Sequence, residues 1–103
     1  VRHKLMDMRM KIDAARALIE ELSYRLQHQL GDHNTLVARI CMAKVLATQA
    51  MQFCADQAIQ ILGGMGFMRG TRSERIYREV KVMMIGGGSE EIMKDLAARQ
   101  LGI

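Results

Sequence analysis

The sequence has no proline and no tryptophan, and only two tyrosines and two phenylalanines among its 103 residues. Without proline, nothing in the chain forces a helix to kink or break by removing a backbone donor. With so few aromatics, there is no platform on which bases could stack. Tyr24, Phe53, Phe67 and Tyr77 lie far apart, and no run of five basic residues accompanies them. Nucleic-acid binding is therefore not expected, despite a formal charge of +4. Cysteine is scarce too. Cys41 and Cys54 would lie about 20 Å apart along one helix, too far for a disulfide. They are expected as small buried hydrophobes in a reducing compartment. No apolar run approaches the length of about 18 residues that suggests a membrane span. No signal peptide is visible: the chain opens with Val1-Arg2-His3-Lys4, already inside an amphipathic pattern. That opening is expected of a segment cut from a longer chain.

What is present favours helices. Half of the residues are hydrophobic, a quarter are charged, and ten are methionine. Ala, Leu, Met, Arg, Glu and Lys are strong helix formers, and long unbranched side chains lose little freedom in a helix. A single all-α domain over residues 1–103 is expected.

The apolar residues Leu5, Met8, Ile12, Ala15, Ile19, Leu22 and Leu26 alternate spacings of three and four. This stripe predicts one long helix over about 2–30 with one buried face, stopped by Gly31. Asp32 or Asn34 can cap the next helix, predicted over about 35–62. That second helix carries only Arg39, Lys44 and Asp56 as charged residues and is rich in alanine. A helix apolar almost all round is buried on several sides, and small residues let neighbours approach closely. A chain this short cannot cover it, so a further helix or another subunit is expected. Gly63-Gly64-Met65-Gly66 ends the helix, and a loop is predicted to about Arg72. Ser73 is expected to cap a third helix over about 73–84, and Ser89 a fourth over about 90–101. The order predicts an antiparallel up-and-down bundle of three to four helices.

Two glycine-rich breaks are the candidate sites. In Gln60-Ile61-Leu62-Gly63-Gly64-Met65-Gly66-Phe67, glycine lets backbone approach a ligand closely, and Gln60 can both donate and accept. In Gly86-Gly87-Gly88-Ser89, the following helix start offers free N–H groups, although Glu90 and Glu91 disfavour a phosphate there. On spacing alone, capping is the favoured account of the first break and accounts for the second at least as well as a ligand does. Between the breaks, Glu74 can pair with Arg78, and Arg75 with Glu79, four residues apart. Adjacent Glu90 and Glu91 diverge on a helix and make a poor acid–base pair. His3, His28 and His33 show no metal-ligand spacing, so no metal is expected.

Taken in order, these segments resemble the C-terminal part of the acyl-CoA dehydrogenases. Gln60 to Phe67 matches a glutamine–apolar–apolar–Gly-Gly-x-Gly-aromatic segment. Glu74-Arg75-Ile76-Tyr77-Arg78-Glu79 matches a basic segment that follows it, and Gly88-Ser89-Glu90-Glu91-Ile92 matches the start of the last helix. The closing Ala98-Arg99-Gln100-Leu101 also fits, and the resemblance is weaker but consistent over 1–59. It implies a C-terminal four-helix bundle, here without its first helix, that packs against copies of itself in a dimer or tetramer. It implies FAD as cofactor: Gln60, Ile61, Leu62, Gly63 and Gly64 would contact the adenosine part of FAD on a neighbouring subunit. Ser89, Glu90 and Glu91 would lie along the flavin of the chain's own site, and Gly88 near the acyl-CoA thioester. The implied reaction is α,β-dehydrogenation, in which a carboxylate takes the α-proton and the flavin accepts hydride. Electron-transfer flavoprotein would be the acceptor, in a bacterial cytoplasm or a mitochondrial matrix. Many members carry the catalytic glutamate at the position of Gly87. Glycine cannot abstract a proton, which implies a branch whose base lies on an upstream helix. This chain alone is then expected to be inactive. The other reading of the same residues is a non-catalytic helical oligomerisation module, or a flavin-binding relative without dehydrogenase chemistry.

Overall fold

A computed structural model describes residues 1–103 and contains helices and no strand. The elements are α1 (Arg2–Gln27), α2 (His33–Leu62), the single turn α3 (Gly64–Phe67), α4 (Arg72–Ile85) and α5 (Glu90–Leu101). At 1.5 Å per residue, the 30 residues of α2 span about 45 Å. That matches the 48 Å long axis of the molecule, so α2 sets its length.

α1 stops earlier than the glycine at 31 predicts. Its last turn closes with Leu30 N–H donating to Arg25 O (2.9 Å) and Gln29 N–H to Leu26 O (3.3 Å). This paired closure needs a left-handed residue, and Gln29 supplies it with φ 52°. Asp32, rather than Asn34, caps α2 by accepting the Thr35 N–H at 3.0 Å. The expected Ser73 cap is also corrected. Thr71 caps α4 by accepting the Glu74 N–H, while the Ser73 hydroxyl turns back to donate to Gly66 O at 2.7 Å. The loop predicted after Gly63 contains the extra turn α3, whose end is held by the Thr71 and Ser73 hydroxyls on the Gly66 carbonyl.

α1, α4 and α5 all pack on α2. Its buried residues are mostly small: Ala38, Cys41, Ala43, Val45, Ala50 and Ala55. Ala38 and Cys41 form a core with Ala97 of α5, flanked by Val37, Met93 and Leu96. α1 is tied across to α2 by Arg39, whose two terminal nitrogens meet the two Glu21 carboxylate oxygens at 3.0 and 2.7 Å. Lys11 lies 4.8 Å above the Phe53 ring. Neither cysteine is paired. Cys41 is buried and Cys54 half-buried, and burial pushes the Cys54 thiol pKa up.

Only 12 of the 103 residues are buried, too few for a self-sufficient core. Of the predicted α1 stripe, Ala15 and Leu22 are buried, but Leu5, Ile12, Ile19 and Leu26 are exposed. For Ile12 and Ile19 the reason is an open groove of about 700 Å³ between α1 and α4, floored by α2 and lined by Met8, Ile12, Ile19, Met51, Cys54 and Ile76. Met8, Ile12 and Ile19 of the stripe face the groove, and no residue of this chain fills it.

Candidate functional site

The first glycine break is an exposed edge. Gly63 ends α2 with φ +68°, donating its N–H to Ile59 O at 2.8 Å. A Cβ placed on Gly63 or Gly64 would meet nothing within 4 Å, so the backbone on that side is open. Gln60, Leu62, Gly63 and Gly64 are exposed, and Ile61 is half-buried. Met65, Phe67 and Met68 are exposed beside them. Gly66 is the opposite case. It is buried, and a Cβ there would lie 2.8 Å from the Leu62 Cβ and 3.3 Å from the Ile59 Cα. Within one motif, two glycines leave space and one removes a clash.

The second break follows α4. Gly87 and Gly88 have φ +75° and +127°, in the left-handed region that glycine tolerates and other residues rarely adopt. A Cβ on Gly87 would point into open space, whereas one on Gly88 would fall on the Met93 methyl. Ser89 caps α5 by accepting the Ile92 N–H at 3.3 Å, as the sequence predicts. Around this loop Val82, Met83, Ile85 and Ile92 are all exposed, making an apolar rim.

The polar residues of the loop are already engaged. Glu90 accepts from Gln49 Nε2 at 2.6 Å and from Lys94 Nζ at 2.9 Å. Lys94 first, and Gln49 second, hold its carboxyl below the usual carboxylate range. Glu90 is therefore engaged by two donors and a weaker base than a free carboxylate. Glu91 is exposed. On α4, Glu74 pairs with Arg78 at 2.7 Å as its spacing predicts. Arg75 and Glu79 form no ion pair, because the spacing permits contact on an exposed face without enforcing it.

Lys44 is the residue that sequence reasoning missed. It sits in the middle of α2 and its ammonium reaches across to the carbonyls of Met84 (3.4 Å), Gly86 (2.8 Å) and Gly88. Its partners are main-chain carbonyls 40 to 44 residues away in sequence, which carry no side-chain signature. The only available hint was a lone lysine on a helix nearly free of charge.

The two breaks do not converge. One lies at the C-terminal end of α2 and the other beside its middle, near Lys44 and Gln49. The 14 residues of α4 connect the two regions, a span of about 20 Å.

Comparison with known proteins follows the same order of elements. The family described as acyl-CoA dehydrogenase, C-terminal domain, matches residues 1–102. The probable acyl-CoA dehydrogenase YngJ of Bacillus subtilis is 38% identical over 102 residues, covering 98% of this chain and 26% of that protein. The mitochondrial short-chain specific acyl-CoA dehydrogenase of Homo sapiens is 33% identical over 101 residues, covering 98% and 24%. A crystal structure of a Mycobacterium smegmatis protein assigned as an acyl-CoA dehydrogenase superposes with a TM-score of 0.92 at 38% identity, over 99% of this chain and 26% of that one. The chain thus spans about a quarter of the length of the relatives it matches. Fold, element order and sequence agree along the whole of it, and the chain belongs to the acyl-CoA dehydrogenase family, whose C-terminal domain it matches.

Proposed function

We propose that the protein carrying this chain is a FAD-dependent dehydrogenase of acyl-CoA thioesters, and that this segment serves it through flavin contacts and subunit packing. The observation that carries the reading is the pair of glycine breaks, open at Gly63–Gly64 and at Gly87, each beside exposed apolar side chains and held about 20 Å apart. Residues so separated suit two different surfaces: Gln60 to Gly64 meets the adenosine part of FAD on a neighbouring subunit, and Ser89 to Glu91 lines the flavin of the chain's own site. Bare backbone at Gly63 and Gly64 fits close approach of an extended cofactor, and the rim of Val82, Met83, Ile85 and Ile92 fits a planar, partly apolar one.

Bound flavin supplies the hydride acceptor. The chain's own residues orient and enclose. Gly88 brings main chain close to the thioester, the apolar rim excludes water, and the Ser89 cap fixes the start of α5. Gly87 has no side chain to remove a proton, and Glu90 is held as an anion by Lys94 and Gln49. The base that takes the α-proton comes from outside residues 1–103, into the open space beside Gly87. Electron-transfer flavoprotein is the proposed acceptor, with the bacterial cytoplasm or the mitochondrial matrix as compartment. No helix here is long and apolar enough to cross a membrane.

The groove between α1 and α4 and the small buried core support the packing role. So much apolar surface requires a further helix of the same protein or a neighbouring subunit to cover it. This observation alone would also suit a helical oligomerisation module. Flavin content separates the two. In the full-length protein, Gln60→Ala and Gly64→Val should each lower FAD retention. Gly64→Val is a clean test because a side chain there meets no atom of the chain itself. Unchanged flavin content in both variants would favour the oligomerisation module.

A further inference from the structure

We infer that Lys44 is a positioning residue, whose ammonium clamps the end of α4 and the Gly86–Gly88 loop onto α2 and so fixes where Gly88 and Ser89 stand. This rests on the proposed role of that loop beside flavin and thioester.

Three consecutive glycines are the least defined stretch a chain can contain, because each has more backbone freedom to lose than any other residue. Two of them are held at positive φ. Within the loop itself, the Gly86 N–H donates to Val82 O (2.7 Å) and the Gly88 N–H to Ile85 O (3.3 Å). Those bonds use donors and leave the carbonyls of Met84, Gly86 and Gly88 directed elsewhere. α4 has no basic residue in its last turn to meet the partial negative charge of its C-terminus. Lys44 supplies that charge from another helix. It meets Met84 O and Gly86 O at 3.4 and 2.8 Å and also Gly88 O.

The residue type matters. An ammonium is compact and presents three donors on a rotatable head, which suits three converging carbonyls. A guanidinium is a planar fork suited to a carboxylate. No carboxylate pairs with Lys44 in the structure, so the carbonyls are its partners. Two further contacts hold the same region. Gln49 donates to Glu90 at the head of α5, and the Met93 side chain occupies the space beside Gly88 where a Cβ would stand. Met93 in turn packs on the Ala38–Cys41–Ala97 core. The loop is therefore registered to α2 through Lys44 and Gln49, and to the core through Met93.

The test uses the full-length protein with Lys44→Met, which keeps the apolar stem, and Lys44→Arg, which keeps the charge. Hydrogen exchange is followed by peptide across residues 84–93 and, as an internal reference, across α1. In Lys44→Met the amides of Gly88, Ile92 and Met93 should exchange about tenfold faster or more, the size expected for losing hydrogen bonds to a charged group, with α1 unchanged. Lys44→Arg should fall between Lys44→Met and the wild type. In the flavin-loaded protein, Lys44→Met should also alter the visible circular dichroism of the flavin and lower kcat more than it raises KM. Unchanged exchange over 84–93 in Lys44→Met, or an arginine variant indistinguishable from wild type, would overturn the inference. If Lys44→Met does not fold, Lys44→Arg decides: full wild-type behaviour refutes the three-carbonyl clamp, and looser exchange confined to 84–93 supports it. A wild-type protein that holds no FAD would refute the proposed function. The exchange experiment would still read the clamp.

Discussion

Replacing Gly66 by alanine sets two effects of opposite sign against each other. Inside a helix, alanine is favoured over glycine by about 1 kcal/mol. At Gly66, however, the new Cβ would stand 2.8 Å from the Leu62 Cβ and 3.3 Å from the Ile59 Cα. Cβ and Cα atoms of a packed helix cannot rotate away, so the backbone of α3 must move off α2, and overpacking of this kind costs about 1–3 kcal/mol. The clash wins over most of that range, and Gly66→Ala should destabilise the α2–α3 corner by up to about 2 kcal/mol. Gly64, two residues earlier in the same turn, is the control. Its φ is ordinary and a Cβ there meets nothing, so only the gain remains, and Gly64→Ala should stabilise by about 0.4–1 kcal/mol. The assay is native-state hydrogen exchange in flavin-free protein. It reads the amides of Gly66 (to Gly63 O, 2.9 Å), Met68 (to Met65 O, 3.3 Å) and Thr71 (to Met68 O, 3.2 Å). The two variants should differ by about 2 kcal/mol, or roughly thirtyfold in local opening. A Gly66→Ala protein at least as protected as Gly64→Ala would show that the contact at Leu62 and Ile59 is not a real constraint.

Other expectations follow from single contacts. Val80 is 1% exposed, so Val80→Ala loses two buried methyl groups and leaves a cavity; denaturant unfolding should show a loss of about 2–3 kcal/mol. Thr71→Ala removes the cap of α4 and the hydroxyl contact to Gly66 O, and should cost about 1–2 kcal/mol with faster exchange at the Glu74 amide. Glu21 is drawn from its ordinary 4.5 to about 2, first by the Arg39 hydrogen bonds and then by Arg25. A lowered folded pKa means its contribution is present above pH 4.5 and is lost as pH falls from there through about 2. Denaturation midpoints between pH 6 and 2 should therefore fall less steeply in Glu21→Gln than in the wild type. An identical slope would show that the Glu21–Arg39 tie between α1 and α2 does not hold in solution.

Much of this molecule was legible in its residues. The missing proline, the helix-forming composition and the two glycine breaks predict four helices in the right order, because capping and chain-stopping are local effects read from a few neighbouring residues. Asp32 and Ser89 act as caps as their types suggest. The lack of charge on α2 predicts its central place, and its small residues are the ones buried. The order of motifs also pointed to the family. Errors arose where several local solutions compete. Thr71 and Ser73 are both competent caps, and Thr71 takes the role because Ser73 is drawn to Gly66 O by the fold of α3. Gln29 assumes the left-handed turn that closes α1, two residues before the glycine at which the stop is expected.

Tertiary structure alone decided the rest. Which residues of the α1 stripe are buried depends on which neighbours this chain provides, so Leu22 is covered while Ile12 and Ile19 face an open groove. Which glycine in Gly63-Gly64-Met65-Gly66 is sterically required depends on the approach of α3 to α2, since all three look alike in sequence. Lys44 could not be read at all. A helix periodicity reports the direction of a side chain around its own axis, but the carbonyls that Lys44 binds belong to a loop more than 40 residues away. Backbone acceptors have no residue code. Only folding α4 and α5 back along α2 brings them to the ammonium.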